Sequence, residues 1–236
     1  MCKSLFNSLG LGLFGLFFSA ALFASPVKTH YEEAVDGPSR VVAEGVLKAS
    51  PDAIWNQLIR INDYVQFMPR VIDSFFISEE GVDFLRSPPT RNGNKLCHLA
   101  AKYKVQSPRK KGSIWEAPVF MVLDAPFPVE NRWYVIRVTH DESKAKEHIY
   151  RRSWKLEEGV GNIDYAQGFW EFKPWQESLG STLAHYEDQV DAGGSVPKWV
   201  TRLGATQTVP DFFRSLEKEA HQAQDVDVAG KIQPLQ

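Results

Sequence analysis

The segment ASPDAIWNQLIRINDYVQFMPRV, residues 49–71, decides the fold that this chain is expected to adopt. Ser50 can cap a helix and Pro51 can occupy its first turn, and apolar residues then recur at helical spacing. A polar break divides this stripe in two, and Pro69 ends the second half. Because the strand-like run VVAEGVLKA at 41–49 leads into it, the segment predicts one strand followed by two short helices.

A long middle part of the chain predicts a β-sheet. Its apolar and alternating runs are separated by Gly, Pro or clusters of charge, which is typical of successive antiparallel strands. Together with the strand at 41–49, they predict a curved antiparallel sheet of about seven strands with one apolar face. The runs are 71–78, 95–106, 118–124, 132–140, 147–157, 163–173 and 181–191.

The carboxy-terminal part returns to a helical pattern after residues 193–195 (GGS). Trp199, Val200 and Leu203 form the apolar stripe of its first half, and Pro210 must kink this helix or restart it. An apolar sheet face has to be covered, and this is the longest helical pattern in the chain. The sequence therefore predicts an α+β protein whose long last helix lies across the sheet.

Alternation within the runs predicts which side chains point inward. In 95–106 the lysines at 102 and 104 mark the solvent-exposed face. The residues at odd positions, which alternate with them, therefore point to the other face. The same parity argument applies to 147–157 and 181–191, and helical spacing applies to the last helix. The predicted lining of an internal site comprises Leu99, Ala101, Tyr103, Tyr150, Arg152, Trp154, Tyr186, Asp188, Trp199, Val200 and Leu203.

Two charged residues, Arg152 and Asp188, fall on the apolar face by this alternation. Burial of a charge is costly unless the charge is paired. Two interpretations follow: the two side chains pair with each other, or a β-bulge shifts the register of one strand. A buried pair would offer a polar contact to the head of an amphiphile.

Composition and charge exclude several classes of protein. The 236 residues, 43% apolar and 12% aromatic, suffice for a hydrophobic core. The 27 Lys and Arg residues balance 29 Asp and Glu residues, so we expect no nucleic-acid partner. Two cysteines cannot build a zinc ribbon or a disulfide framework, and the sequence has no nucleophile-elbow, zinc-protease or phosphate-loop motif. No catalytic residue, metal or cofactor is therefore assigned.

The histidines and Cys97 receive structural interpretations. Cys97 is expected to be a buried and inert thiol, because no base is evident near it. Alternation with polar residues predicts that the strand histidines are solvated rather than ligands; they are His98, His140, His148 and His185.

The amino-terminal segment is expected to be an export signal. Residues 1–24 combine a basic start, an apolar stretch and small residues at the end. Cleavage there predicts a secreted, periplasmic protein; the alternative is an uncleaved membrane anchor. The remaining layout is an arm at 25–39, one domain at 40–222 and a disordered polar tail at 223–236.

Three stretches resemble START-like proteins of the SRPBCC superfamily, which includes coenzyme Q-binding proteins, polyketide cyclases and lipid-transfer domains. Residues 49–71 resemble the family's strand-to-helix start, PFPVENRWYVIRVT at 126–139 resembles a turn and strand, and 196–220 resembles the closing helix of bacterial members. The resemblance spans 40–221. It implies a helix-grip fold, in which the sheet wraps around the last helix and leaves a tunnel for an apolar small molecule.

The resemblance and the apolar sheet face together predict a monomeric binding protein rather than an enzyme. Its expected partner is a lipid, isoprenoid or sterol-like molecule, with transient contact to a membrane and access through the loops at 86–94, 125–131 and 193–196. Such a carrier is useful in water because each exposed methylene costs about 0.8 kcal/mol. Two alternatives stay open: a cyclase- or aromatase-like enzyme that uses the same pocket, and an interaction protein whose tunnel is collapsed.

Overall fold

The structure of the chain is a computed structural model. It describes residues 27–90, 93–106, 108, 112–126, 129–194 and 196–231. The predicted export signal at 1–24 and the end of the predicted tail at 232–236 lie outside these residues. Within the described ranges, no helix is both long enough and apolar enough to cross a membrane.

The strands of the described residues form one sheet in which all neighbours are antiparallel. They are β1 (Lys28–Glu32), β2 (Ser39–Leu47), β3 (Val71–Ile77), β4 (Lys104–Val105), β5 (Ile114–Leu123), β6 (Arg132–Asp141), β7 (Tyr150–Gly161), β8 (Tyr165–Pro174) and β9 (Thr182–Asp191). Their order across the sheet is β1-β2-β9-β8-β7-β6-β5-β3-β4. The described sheet has nine strands rather than about seven. The arm at 25–39 contributes β1, for which no strand was predicted, and the predicted run at 95–106 contributes only the two-residue β4.

Helices cover both faces of this sheet. Two short helices follow β2, as the segment 49–71 predicts, and the first begins where the Ser50 hydroxyl accepts a hydrogen bond of 3.3 Å from the backbone N–H of Ala53. The helices are α1 (Pro51–Leu58), α2 (Tyr64–Phe67), α3 (Glu79–Arg86), α4 (Gly93–Ala100), α5 (Lys198–Leu203) and α6 (Val209–Lys231).

The last helix packs against the concave face of the sheet. Three side chains of α6 are fully buried there: Phe213, Leu216 and Ala220. The ring centroids of Phe213 and of Trp170 on β8 are 4.7 Å apart. Burial of a large apolar side chain such as Phe213 or Leu216 contributes about 1.5–3 kcal/mol and is the main stabilising term. The predicted α+β helix-grip architecture is confirmed.

Pro210 breaks this helix in the way that its chemistry requires. It has no backbone N–H, so the carbonyl of Thr206 loses its α-helical donor. The chain responds with a π-helical segment, Gly204–Thr208, in which the Val209 N–H donates to the carbonyl of Gly204. The helix then continues to Lys231, past the start of the predicted tail at Ala223.

The prediction of a strand at 95–106 is wrong. These residues form most of α4, a 3₁₀ turn and the short β4. Leu96, Cys97 and Ala100 make an apolar stripe at helical spacing that packs against the outer face of β3, β5 and β6. The alternating lysines belong to the 3₁₀ turn and the strand after it, so their period did not reflect a long strand.

Candidate ligand cavity

A cavity of about 300 Å³ lies between the concave face of the sheet and the helices that cover it. Its volume is at the lower end of the range of small-molecule pockets, about 300–1,000 Å³. Most of the lining is apolar and comes from the sheet, the α1–α2 region and the junction of α5 with α6. The charged residues of the described lining are Arg70, Asp124, Arg132, Arg152 and Asp188.

Arg152 on β7 is the buried cation of this cavity. Only 4% of the residue is exposed. Its Nη1 donates to the carbonyl of Leu58 at 3.1 Å and to the hydroxyl of Tyr64, which itself donates to the same carbonyl. Burial raises the pKa of Tyr64 and the nearby guanidinium opposes that shift. The Nε of Arg152 is buried without a hydrogen-bond partner among the described residues.

Asp188 on β9 is a carboxyl group in the same cavity. It accepts a hydrogen bond of 3.2 Å from the indole N–H of Trp154 and a second one from the hydroxyl of Tyr186. Burial raises its pKa to about 7, although these hydrogen bonds act in the opposite direction. Asp188 therefore changes its charge near neutral pH.

Neither interpretation of Arg152 and Asp188 is correct. Both side chains line the cavity as alternation predicts, with no bulge that shifts them, and they do not form an ion pair. No carboxylate lies within ion-pair distance of Arg152 in the described part of the chain. In the sheet register, Arg152 is level with Tyr186, whereas Asp188 is level with Trp154. Two strand spacings and two residue steps place the two Cα atoms about 12 Å apart.

Gly168 on β8 permits the hydrogen bond between Trp154 and Asp188. It lies between them in the register, so the indole must cross over it to reach the carboxylate. A Cβ atom at this position would lie 2.5 Å from Cζ2 of Trp154 and closer still to the carbonyl of Glu187. The lack of a side chain is thus a requirement for this contact.

Six of the predicted lining residues do line the cavity. They are Arg152, Trp154, Tyr186, Asp188, Val200 and Leu203. That they bind a ligand stays a prediction.

The other five predicted lining residues lie elsewhere. Leu99 and Tyr103 pack on the outer face of the sheet and Ala101 is exposed, because the predicted strand there is mostly helical. Trp199 is 52% exposed on α5. Tyr150 stacks on Trp55 with ring centroids 5.1 Å apart and donates to Asp52, which also lies 2.6 Å from Nδ1 of His148.

The predicted solvation of the strand histidines fails for one of them. His140 on β6 is fully buried, and its ring stacks on Trp115 at a centroid distance of 3.7 Å. The others lie at or near the surface: His98 and His148 are exposed and His185 is half-buried. Cys97 is buried, as predicted. Burial and the nearby Asp73 raise the pKa of its thiol to about 11, which agrees with the prediction of an inert thiol.

One end of the cavity is a mouth with charged residues. Arg70 and Asp124 form an ion pair of 2.8 Å there, and Arg132 donates to the carbonyl of Gly193 at 3.4 Å. Residues 125–126 line this end as expected, whereas no described residue of the loop at 86–94 lines the cavity.

Several residues that line the cavity were not predicted from the sequence, although alternation would have identified some of them. Parity along β6 places Arg132 and Tyr134 on the same face as Ile136, and all three line the cavity. Tyr64 was identified only as part of a helical stripe, and Tyr31 lay in the arm for which no strand was predicted.

Comparison with solved structures identifies the architecture. A STAR-related lipid transfer protein from Xanthomonas axonopodis matches with a TM-score of 0.58 and 19% identity, over 84% of this chain and 96% of that one. Human StAR-related lipid transfer protein 5 matches with a TM-score of 0.55 and 11% identity, over 84% of each chain. The Zhui aromatase/cyclase from Streptomyces sp. R1128 matches with a TM-score of 0.51 and 11% identity, over 78% of this chain and 94% of that one.

The chain has a START-like fold. No family model matches its sequence and no curated protein does. In this START-like domain the concave sheet and the last helix enclose the cavity, whose lining is mostly apolar with a few charged side chains.

Proposed function

We propose that this protein binds and carries a hydrophobic small molecule, such as a lipid, an isoprenoid or a sterol-like compound. The observation that carries the proposal is the cavity of about 300 Å³, whose lining is mostly apolar. An apolar ligand gains about 25 cal/mol for each Å² that it removes from water. The names of the solved structures that share the fold, two of them lipid transfer proteins, support the same assignment.

The polar groups of the lining are suited to the head of an amphiphile. Arg152 and Asp188 project from separate places and each is held by neighbouring side chains rather than by the other. A few fixed polar groups in an apolar pocket orient a ligand and give specificity. The ligand is thus expected to be amphiphilic rather than a pure hydrocarbon.

Export and membrane contact belong to the same proposal. The segment 1–24 directs the chain to the periplasm, where a monomeric carrier moves its ligand through water. Trp199 on α5 and Val35 in the arm are exposed by 52% and 85%. The Lys198 ammonium donates to the carbonyl of Val35 at 3.2 Å, so the two apolar side chains are carried by segments in contact. Tryptophan favours the membrane–water interface, and these residues are the expected membrane contact.

Blocking the cavity tests this function. Ala166 on β8 lines the cavity, and Ala166→Phe places a ring inside it; the control Gln167→Phe places the same ring on the exposed face of the strand. Saturable uptake of fluorescent fatty acid, sterol or quinone analogues is expected for the natural chain and for Gln167→Phe, and loss of uptake for Ala166→Phe. Equal uptake by all three proteins, with circular dichroism showing all three folded, would place binding outside the cavity.

A second candidate function is proton-transfer catalysis on a carbonyl compound, as in cyclases. It is favoured by Asp188, a cavity carboxyl whose pKa of about 7 is suited to a general acid or base. A polyketone analogue incubated with the protein would be converted, and Asp188→Asn would abolish conversion without abolishing binding. Binding without conversion by the natural chain would leave the carrier function alone.

A further inference from the structure

Three hydrogen-bond donors in the cavity lining lack an acceptor. The hydroxyl of Tyr31, Nε of Arg132 and Nε of Arg152 are all buried without a hydrogen-bond partner among the described residues. Native proteins pair more than about 90% of their buried polar groups, and an unpaired buried donor loses its hydration without compensation. Three such donors around one cavity point to a ligand that supplies oxygen acceptors.

Arg132 is the first residue of β6, whereas Arg152 on β7 lies beside the other end of β6. Arg152 is opposite His140 in the β6–β7 register, eight positions beyond Arg132. At a rise of about 3.4 Å for each residue, their backbones are separated by about 27 Å along the strand. The guanidinium of Arg152 contacts Leu58 and Tyr64 beside the helices, whereas that of Arg132 reaches Gly193 at the mouth.

Of the two arginines at the mouth, Arg70 is paired with a carboxylate and Arg132 is not, within the described residues. Arg70 is neutralised by Asp124, and it adopts a left-handed backbone conformation, with φ of 62°, that is uncommon outside glycine. Neither Arg132 nor Arg152 has a carboxylate within 4.0 Å in the described part of the chain. Each arginine can therefore make a charge-assisted hydrogen bond to a ligand oxygen.

We infer that the natural ligand is an elongated amphiphile with an oxygen function at each end: an acidic group bound by Arg132 at the mouth, and a carboxylate or hydroxyl bound by Arg152 at the inner end. The chemical class is an α,ω-oxygenated chain, such as a long dicarboxylic or ω-hydroxy acid. This inference rests on the proposed carrier function. A plain fatty acid would satisfy one arginine and leave the other donor desolvated.

Competition binding distinguishes the two-ended ligand from a plain fatty acid. Alkanols, monocarboxylic acids and α,ω-dicarboxylic acids of matched chain length, scanned over several lengths, would compete with a fluorescent fatty acid. At the optimal length the dicarboxylic acid is expected to bind about 10- to 100-fold more tightly than the monocarboxylic acid. Arg132→Met and Arg152→Met should each reduce this ratio to near one. The control Arg151→Met removes the neighbouring arginine, which lies on the outer face, and should leave the ratio unchanged.

The outcomes separate this inference from the proposed function. Equal affinity for monocarboxylic and dicarboxylic acids at every length would overturn the two-ended ligand and leave the carrier function standing. A preference that persists in Arg132→Met would overturn the assignment of the mouth. If none of the three series competes and no fluorescent analogue binds, both proposals are wrong.

Discussion

Arg152 and Asp188, two of the charged side chains that line the cavity, should contribute to stability independently of each other. In Asp188→Leu, the Trp154 indole and the Tyr186 hydroxyl lose their acceptor, which should cost about 2–4 kcal/mol. In Arg152→Met, the Leu58 carbonyl keeps its hydrogen bond from the Tyr64 hydroxyl, and a desolvated cation is removed. Arg152→Met should therefore change the free energy of unfolding by less than about 1 kcal/mol.

The assay is a double-mutant cycle by urea unfolding at pH 8, where Asp188 is ionised. Because the two residues share no partner and their Cα atoms are about 12 Å apart, the losses should add to within about 0.5 kcal/mol. A buried ion pair would behave differently: each single variant would cost about 3–5 kcal/mol and the double variant would be close to neutral. A coupling free energy above about 2 kcal/mol would refute the geometry described here.

Three further changes follow from the same structure. Asp188 holds its proton up to about pH 7 in the folded state and up to about pH 4 when unfolded, so the free energy of unfolding should fall by about 2–4 kcal/mol as pH rises between these values. Urea titrations at several pH values should show this decline disappear in Asp188→Asn. Gly168→Ala should lower the free energy of unfolding by about 1–3 kcal/mol, and a loss below about 0.5 kcal/mol would contradict the close approach at this glycine. Glu33→Gln removes the 2.7 Å ion pair that ties the arm to Arg202 on α5, and stopped-flow exchange of a fluorescent ligand should become faster, whereas Arg214→Gln, which breaks a pair within α6, should leave the rate unchanged.

Periodicity predicted the parts of the fold whose elements are long and one-sided. The stripe in α1 and the alternation in β7 to β9 each reflect a single buried face, so they identify element type and side-chain direction together. The same alternation correctly brought Arg152 and Asp188 to the concave face.

The failures have local physical causes. The residues around Leu99 combine the end of a helix, a 3₁₀ turn and a two-residue strand, so no single period describes them. Parity also cannot tell which inward side chains meet, since that depends on the register between strands and on long side chains. The register sets Trp154 rather than Arg152 level with Asp188, and Gly168 opens the way between them.

Native mass spectrometry of the exported protein, purified without detergent, tests the central claim most directly. The natural chain and Gln167→Phe should each carry one small molecule that is released by organic solvent, and Ala166→Phe should show only the mass of the protein. The predicted result is that a ligand is present in the two proteins whose cavity is open and absent from the one whose cavity is blocked. The bare protein mass in all three samples, with no uptake of added amphiphile by the natural chain, would contradict the account.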